Sequence, residues 1–237
     1  MRKSPLLVLA AAAAVLAAGA AARPAGTTHS CVKGNELWFN AADGTRLVGH
    51  RFGRGRTAVI LAQQNEGDLC QWVPYARALA AQGYTAFPFD LRGFGFSQRR
   101  SGRLGLQVQR DVIAAVKAMR AQGKTKIFVV GASYGALAAV VAAPNLKVAG
   151  VVSLSAPDVF QGLNGITAAQ RTRLPILYVA SNDDQEGRFA TAAQKLFAAT
   201  AATDKQLELT DGNLHGIELL QRTPSVKRLL EGFLRSH

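Results

Sequence analysis

The sequence predicts an α/β protein: a mostly parallel, doubly wound sheet with helices on both faces, preceded by an N-terminal antiparallel hairpin. Two observations predict this fold class. Short continuous apolar runs typical of buried parallel strands, such as TAVILAQ at 57–63, alternate with segments whose apolar residues recur at helical spacing. That alternation is typical of sheets whose parallel strands are connected by helices. Near the start, two segments of alternating polarity flank Asp43-Gly44, which is a strong hairpin signal.

The first residues carry a targeting pattern. Arg2 and Lys3 are followed by an uninterrupted apolar run at 6–20, and small residues at 18–22 have the spacing that signal peptidases use. Because a membrane-spanning helix needs about 20 apolar residues, cleavage is favoured over an uncleaved anchor. We therefore expect a signal peptide at 1–22, a flexible leader at 23–30 and a single domain at 31–237. The mature protein is then secreted, or periplasmic or held at the cell envelope.

Composition limits the classes of partner. The 237 residues, 49% of them hydrophobic, are enough for one large core. A formal net charge of +13 favours electrostatic association with an anionic cell envelope. The basic residues are scattered and no nucleic-acid recognition module is recognisable, so we expect no nucleic-acid partner. The oligomeric state stays open.

The chain contains two cysteines, Cys31 and Cys70. In an exported protein an even pair favours a disulfide. The bond would tie the mature N-terminus to the segment after the first core strand and contribute about 3–4 kcal/mol in the loop-entropy model. Two free thiols are the alternative. A lipid anchor on Cys31 ranks lower, because THS before it lacks the apolar and small residues of a lipoprotein signal.

After the hairpin, strands and helices alternate to the end of the chain. Strands are predicted at 57–63, 84–90, 126–132, 148–156, 175–181 and 205–212. Helices are predicted at 69–82, about 104–122, 133–143, 187–200 and 225–235. In such sheets ligands bind beyond the carboxyl ends of the strands, so the polar residues there are the site candidates.

Ser133 lies in Gly131-Ala132-Ser133-Tyr134-Gly135, a G-x-S-x-G pattern between a predicted strand and a predicted helix. A sharp turn there would strain the serine backbone, and side chains at the flanking positions would collide with the neighbouring strand and helix. The turn would lift Ser133 Oγ above the sheet edge and aim the Tyr134 N–H at an oxygen bound there. A packing turn with an incidental serine is the alternative, but the strand–helix context favours a nucleophile.

A serine nucleophile needs a base, and His215 is the candidate. His29 falls in the predicted leader, His50 lies in the hairpin and His237 ends the chain. His215 lies in the loop between the last strand and the last helix, where a base can reach a serine at the strand ends.

Asp183 and Asp184 follow the strand that precedes the last one. A carboxylate there would orient the histidine and stabilise its charged form. The residues alone leave the choice between the two aspartates open.

Together these segments resemble proteins of the α/β-hydrolase fold over nearly the whole chain after the leader. FDLRGFGFS at 89–97 is similar to the family's D-x-R-G-x-G-x-S segment, GASYG to its nucleophile elbow and DGNLHG to its histidine loop. In the family the acid usually lies three residues after the small residue that ends the strand. Counted from Ser181, this implies Asp184, with Asp183 as second choice. The resemblance implies no metal and no organic cofactor.

Two features depart from the family pattern. Gln63 and Gln64 stand where many relatives carry His-Gly, so the second oxyanion donor beside Tyr134 is expected to be the backbone N–H of Gln64 or Asn65. A glutamine or asparagine side chain there would also be able to hold the loop. Residues 158–174 are too few for a substantial cap domain, so we expect a shallow, open site.

These features predict a secreted serine hydrolase, in the first place a carboxylic ester hydrolase that acts on a small-molecule ester or acyl substrate. Ser133 would attack the carbonyl, His215 would carry the proton and Asp184 would orient His215. An acyltransferase or a peptidase would use the same triad, because the first half-reaction is shared. A non-catalytic binding protein on this fold is the remaining alternative.

Overall fold

The structure, a computed structural model, describes residues 29–237. The predicted signal peptide at 1–22 and the leader up to residue 28 lie outside the described residues. His29, at the end of the predicted leader, is buried, and its Nε2 lies 2.8 Å from Asp90 Oδ2. The flexible-leader prediction is therefore wrong for His29, because this contact makes it part of the folded domain.

The strands are β1 (Glu36–Asn40), β2 (Arg46–His50), β3 (Thr57–Ala62), β4 (Thr85–Phe89), β5 (Lys126–Ala132), β6 (Gly150–Leu154), β7 (Val159–Phe160), β8 (Leu163–Asn164), β9 (Ile176–Ser181) and β10 (Lys205–Thr210). The six parallel strands and the N-terminal hairpin lie where the sequence predicts them, whereas the short strands β7 and β8 were not predicted.

In the described part of the chain, eight of these strands form one sheet in the order β1-β2-β4-β3-β5-β6-β9-β10. β3 to β6, β9 and β10 pair in parallel, whereas β1 pairs antiparallel with β2 and β2 antiparallel with β4. This confirms the predicted fold class. Residues 158–174 form only the β7–β8 hairpin and one short helix, so no substantial cap covers the sheet, as predicted.

Helices cover both faces of the sheet. They are α1 (Val73–Ala81), α2 (Gly102–Gly105), α3 (Gln109–Ala121), α4 (Tyr134–Ala142), α5 (Gly165–Ala169), α6 (Arg188–Ala199), α7 (Glu218–Arg222) and α8 (Pro224–Ser236). Alternate residues of β3 belong to two hydrophobic cores. Ala58 and Ile60 belong to the core that includes residues of α3, α4 and α6, and Val59 and Leu61 belong to the core that includes residues of α1, α7 and α8. Among residues 29–237, no helix is both long and apolar enough to cross a bilayer.

The helix predicted at about 104–122 is interrupted in the structure. Its N-terminal part forms the single turn α2, and α3 starts afresh at Gln109. The Leu104 carbonyl, which in a continuous helix would accept a bond from the Val108 N–H, accepts one from the Arg92 Nη1 at 2.7 Å. The buried arginine therefore helps to end the first turn.

Arg92 and its neighbours after β4 brace the sheet rather than form a site. The Arg92 guanidinium is fully buried and binds Asp111 through Nε at 2.9 Å and Asp43 through Nη1 at 2.8 Å. Burial opposes its positive charge, but the two carboxylates outweigh burial and raise the pKa of Arg92. This arrangement ties the β1–β2 turn and α3 to the end of β4.

The predicted disulfide is present between Cys31 and Cys70, with a Cα–Cα distance of 5.8 Å. It packs against Leu69 and Val73. Asp90, fully buried, accepts the Leu69 N–H at 2.8 Å through Oδ1. The N-terminal segment is thus fixed beside the stretch that links β3 to α1, which carries the residues expected to complete the oxyanion site.

Candidate active site

Ser133 occupies a strained turn between β5 and α4. Its φ is +50° and its ψ is −114°, a backbone conformation that residues other than glycine rarely adopt. A Cβ on Gly131 would lie 2.6 Å from Ala136 Cα, and a Cβ on Gly135 would overlap the carbonyl oxygens of residues 62 and 63. Glycine is therefore needed on both sides of the serine because strand and helix approach too closely for a side chain.

The carboxyl ends of β9 and β10 bring Asp184 and His215 together. Asp184 Oδ2 lies 2.7 Å from His215 Nδ1, and Asp184 is 1% exposed. Asp183 is exposed, and its backbone N–H donates to the Gly212 carbonyl at 2.9 Å. The structure therefore pairs the histidine with Asp184, the first choice of the sequence analysis, and not with Asp183.

The other residues predicted for the site line one cavity of about 330 Å³. Ser133, Tyr134 and His215 line it together with Gln64 and Asn65 from the loop after β3. Within residues 29–237, Ser133 makes no direct hydrogen bond with His215. Such bonds are commonly long in unliganded sites and tighten when substrate binds.

Aromatic side chains form the apolar wall of the cavity. Tyr134 and Phe160 meet edge to face with ring centroids 5.4 Å apart, and the Phe189 ring lies 4.4 Å from the His215 ring. Burial raises the pKa of the Tyr134 phenol to about 12, so the phenol is neutral at ordinary pH. Phe160 comes from the β7–β8 hairpin, which shows that the segment too short for a cap still contributes to the site.

Charged and amide side chains line the rest of the cavity. Glu66, Gln185 and Arg188 contribute to it, and all three are exposed. Gln185 and Glu186 both have positive φ, as does Gly187, and this left-handed run turns the chain so that α6 starts beside the cavity. The opening therefore combines polar groups of both charges with an aromatic wall.

Gln63 holds the loop after β3 in place. The side chain is fully buried, its Nε2 donates to the Gly67 carbonyl at 2.6 Å, and its Oε1 accepts the Leu91 N–H at 3.3 Å. The sequence placed Gln63 in this loop and allowed that a side chain would hold it, but gave no sign of these two partners.

Ser155 is a further residue at the site that was not predicted from the sequence. It follows β6, is fully buried and has a φ of +50°. Its Oγ accepts the Gly216 N–H at 3.0 Å, next to His215. Its place after a buried strand was the only available signal, and many serines share it.

No metal centre is apparent in the described residues, since no three or more His, Cys, Asp or Glu side chains come together in a way that would hold an ion. What the site offers chemically is a serine hydroxyl and a histidine backed by a buried carboxylate, in a cavity that Gln64 and Asn65 also line. This set is suited to acyl transfer.

Comparison with known proteins places this arrangement in context. The family model described as alpha/beta hydrolase fold matches residues 57–217. No curated protein sequence matches the chain significantly.

Similar solved structures include an esterase of Pyrococcus furiosus, with a TM-score of 0.74 and 19% identity over 85% of this chain and 91% of that one. An esterase of Rhodococcus sp. ECU1013 has a TM-score of 0.71 and 16% identity over 85% and 99% of the two chains. A monoacylglycerol lipase of Paleococcus ferrophilus has a TM-score of 0.64 and 16% identity over 80% and 97%. At these identities the likeness is one of fold.

Proposed function

Since this chain belongs to the α/β-hydrolase fold family, we propose that it is a serine hydrolase that cleaves carboxylic esters of small molecules through an acyl-enzyme. One observation carries the proposal. The strained Ser133 shares a cavity with His215, and the far side of the His215 ring is hydrogen-bonded to the buried Asp184. The esterases and the lipase among the similar structures add support at the level of the fold.

In the acylation step, Ser133 Oγ attacks the ester carbonyl carbon while His215 Nε2 takes the hydroxyl proton. Asp184 keeps the other ring nitrogen, Nδ1, protonated and stabilises the imidazolium that forms. The carbonyl oxygen becomes an oxyanion, held by the backbone N–H of Tyr134 and a second N–H from Gln64 or Asn65. When the tetrahedral intermediate collapses, the C–O bond to the alcohol breaks and the alcohol leaves with the proton from Nε2.

Deacylation repeats these roles with water as the nucleophile. His215 Nε2 takes a proton from water, whose oxygen attacks the acyl carbon of the Ser133 ester. Collapse of the second intermediate returns the proton to Ser133 Oγ and releases the carboxylic acid. The free enzyme is thereby regenerated, with Ser133 protonated and His215 neutral.

The cavity favours small substrates. Its volume of about 330 Å³ lies near the lower end of ligand sites, which range from roughly 300 to 1,000 Å³. An acyl chain would find apolar contacts against Tyr134, Phe160 and Phe189, whereas the exposed polar residues would face the more polar part of the ester. Esters with short acyl chains are therefore the proposed substrate class.

A panel of p-nitrophenyl esters of increasing acyl length tests this activity. The wild type is expected to hydrolyse the shorter esters best, and Ser133→Ala to lose at least about a thousandfold in kcat/KM. Ser101→Ala is the matched control, because Ser101 is exposed and its side chain makes no capping bond. Hydrolysis by Ser133→Ala at the wild-type rate would overturn the proposal. Addition of alcohols to the assay separates transfer to water from acyl transfer to an alcohol.

We also propose that the protein acts outside the cytoplasm. The signal-peptide pattern in the sequence and the Cys31–Cys70 disulfide support this, since disulfides persist in oxidising compartments. N-terminal sequencing of protein recovered from the medium or the cell envelope is expected to give a start close to residue 23. Recovery only from the cytoplasm, with residue 1 or 2 as the start, would contradict the proposal.

A further inference from the structure

Gln64 joins the loop after β3 to the loop that carries His215. Its Oε1 accepts the backbone N–H of Ile217 at 3.1 Å, and the side chain is half-buried at the cavity. Ile217 is two residues beyond His215, so this bond fixes the histidine loop close to the base itself. The two loops are 153 residues apart in the chain, and nothing local in the sequence holds them together.

Two successive N–H groups after His215 are held by side chains. The Gly216 N–H donates to Ser155 Oγ at 3.0 Å, and the Ile217 N–H donates to Gln64 Oε1. A Cβ on Gly216 would overlap Gln64 Oε1, and its φ of +56° also favours glycine. The glutamine side chain therefore packs directly against the histidine loop as well as bonding to it.

The loop that carries Gln64 is itself held in place. Gln63 is fully buried and bonds to the Gly67 carbonyl and the Leu91 N–H, so the loop that carries Gln64 is anchored to its own far end and to the end of β4. A bond from an anchored loop restrains its partner more than a bond from a mobile one, because less freedom remains to be lost.

We infer that Gln64 is a positioning residue for His215. This role of the side chain is separate from the backbone N–H donor proposed for the same loop. The effect of the positioning on catalysis rests on the proposed function. The side-chain carbonyl sets the position of the histidine loop, so that Nδ1 meets Asp184 while Nε2 faces the cavity that contains Ser133. A glycine at this position would have no side chain to accept the Ile217 bond. The departure from His-Gly thus supplies a link between the oxyanion loop and the base.

Gln64→Met tests the inference, because methionine keeps the length of the side chain and removes the carbonyl acceptor, and every variant keeps the backbone N–H of residue 64. The matched control is Gln122→Met. Gln122 is exposed, and its Oε1 also accepts one hydrogen bond, from Arg51 Nη1 at 3.1 Å. Gln64→Glu restores an acceptor oxygen. Should Gln64→Met fail to fold, Gln64→Ala replaces it.

The first readout is the proton NMR resonance of the His215 Nδ1–H, which reports the bond to Asp184 whether or not the protein hydrolyses esters. We expect the resonance in the wild type, in Gln122→Met and in Gln64→Glu, and expect it broadened or lost in Gln64→Met. The second readout is kinetic: Gln64→Met is expected to lower kcat about tenfold with KM within about twofold.

An unchanged resonance in Gln64→Met, or an equal loss in Gln122→Met, would overturn the inference. An unchanged kcat in Gln64→Met would overturn it as well. If the wild type cleaves no ester while the resonance behaves as expected, the proposed function fails and the positioning role stands.

Discussion

Replacing Asp184 by asparagine removes the charge beside His215 and keeps the shape of the side chain. Asp184 is 1% exposed and its Oδ2 lies 2.7 Å from His215 Nδ1, so the substitution acts directly on the hydrogen-bond partner of that nitrogen. Asparagine has no negative charge to stabilise an imidazolium, and it is able to present an N–H that fixes the wrong tautomer. The expected consequence is a base of the right shape that no longer accepts the serine proton.

The magnitude follows from the role assigned to the carboxylate. In serine hydrolases with this arrangement, the aspartate-to-asparagine change lowers kcat about ten-thousandfold. At 1.36 kcal/mol per tenfold, this is about 5 kcal/mol of transition-state stabilisation. The neighbouring Asp183 supplies the control, because it is exposed and only its backbone is engaged. The kcat of Asp183→Asn should stay within about threefold of the wild-type value, because substitutions of exposed residues away from the site usually have small effects.

The assay is steady-state hydrolysis of a p-nitrophenyl ester by both variants at the same pH, with thermal unfolding as the check on folding. An Asp184→Asn variant that folds and retains kcat within tenfold of the wild type would refute the reasoning. Equal losses in the two variants would refute it too, because only one of the two carboxylates contacts the histidine.

Three further outcomes are expected. Replacing Cys31 and Cys70 together by serine should lower the free energy of unfolding by about 3–4 kcal/mol, measured with guanidinium against the oxidised wild type; no change would contradict this. Burial lowers the pKa of His29, but the bond to Asp90 outweighs burial and raises it above 6.5. Its stabilisation is therefore full below that value and is lost as pH rises through the folded pKa, so the stability gap to His29→Gln should shrink as pH rises above 6.5; a gap that widens contradicts the sign. Gly135→Ala should lower stability by about 1–3 kcal/mol in urea unfolding, since a Cβ there overlaps two carbonyl oxygens.

The parts of the fold that follow from local pattern were predictable. The continuous apolar runs gave the parallel strands, and Asp43-Gly44 gave the hairpin. The elbow around Ser133 could be predicted for the same reason, because a turn of this kind needs glycine where strand and helix approach closely. The resemblance to a known family, not the residues alone, favoured Asp184 over Asp183.

What could not be predicted depends on contacts between distant segments. The buried His29 contacts Asp90, 61 residues away, and the Leu104 carbonyl before α3 accepts a bond from Arg92, 12 residues away. The Gln64 bond joins two loops from opposite ends of the domain sequence. A single sequence states which residues are polar, but not which distant partner each one reaches, so such contacts appear only when the chain is folded.

The central claim is that Ser133 is an activated nucleophile, and labelling with a fluorophosphonate tests it most directly. The reagent forms a covalent phosphonyl ester with a serine whose base is in place, and peptide mass spectrometry locates the adduct. We expect one adduct, on Ser133, in the wild type and none in Ser133→Ala. No labelling of the folded wild type, or equal labelling of Ser133→Ala, would contradict it.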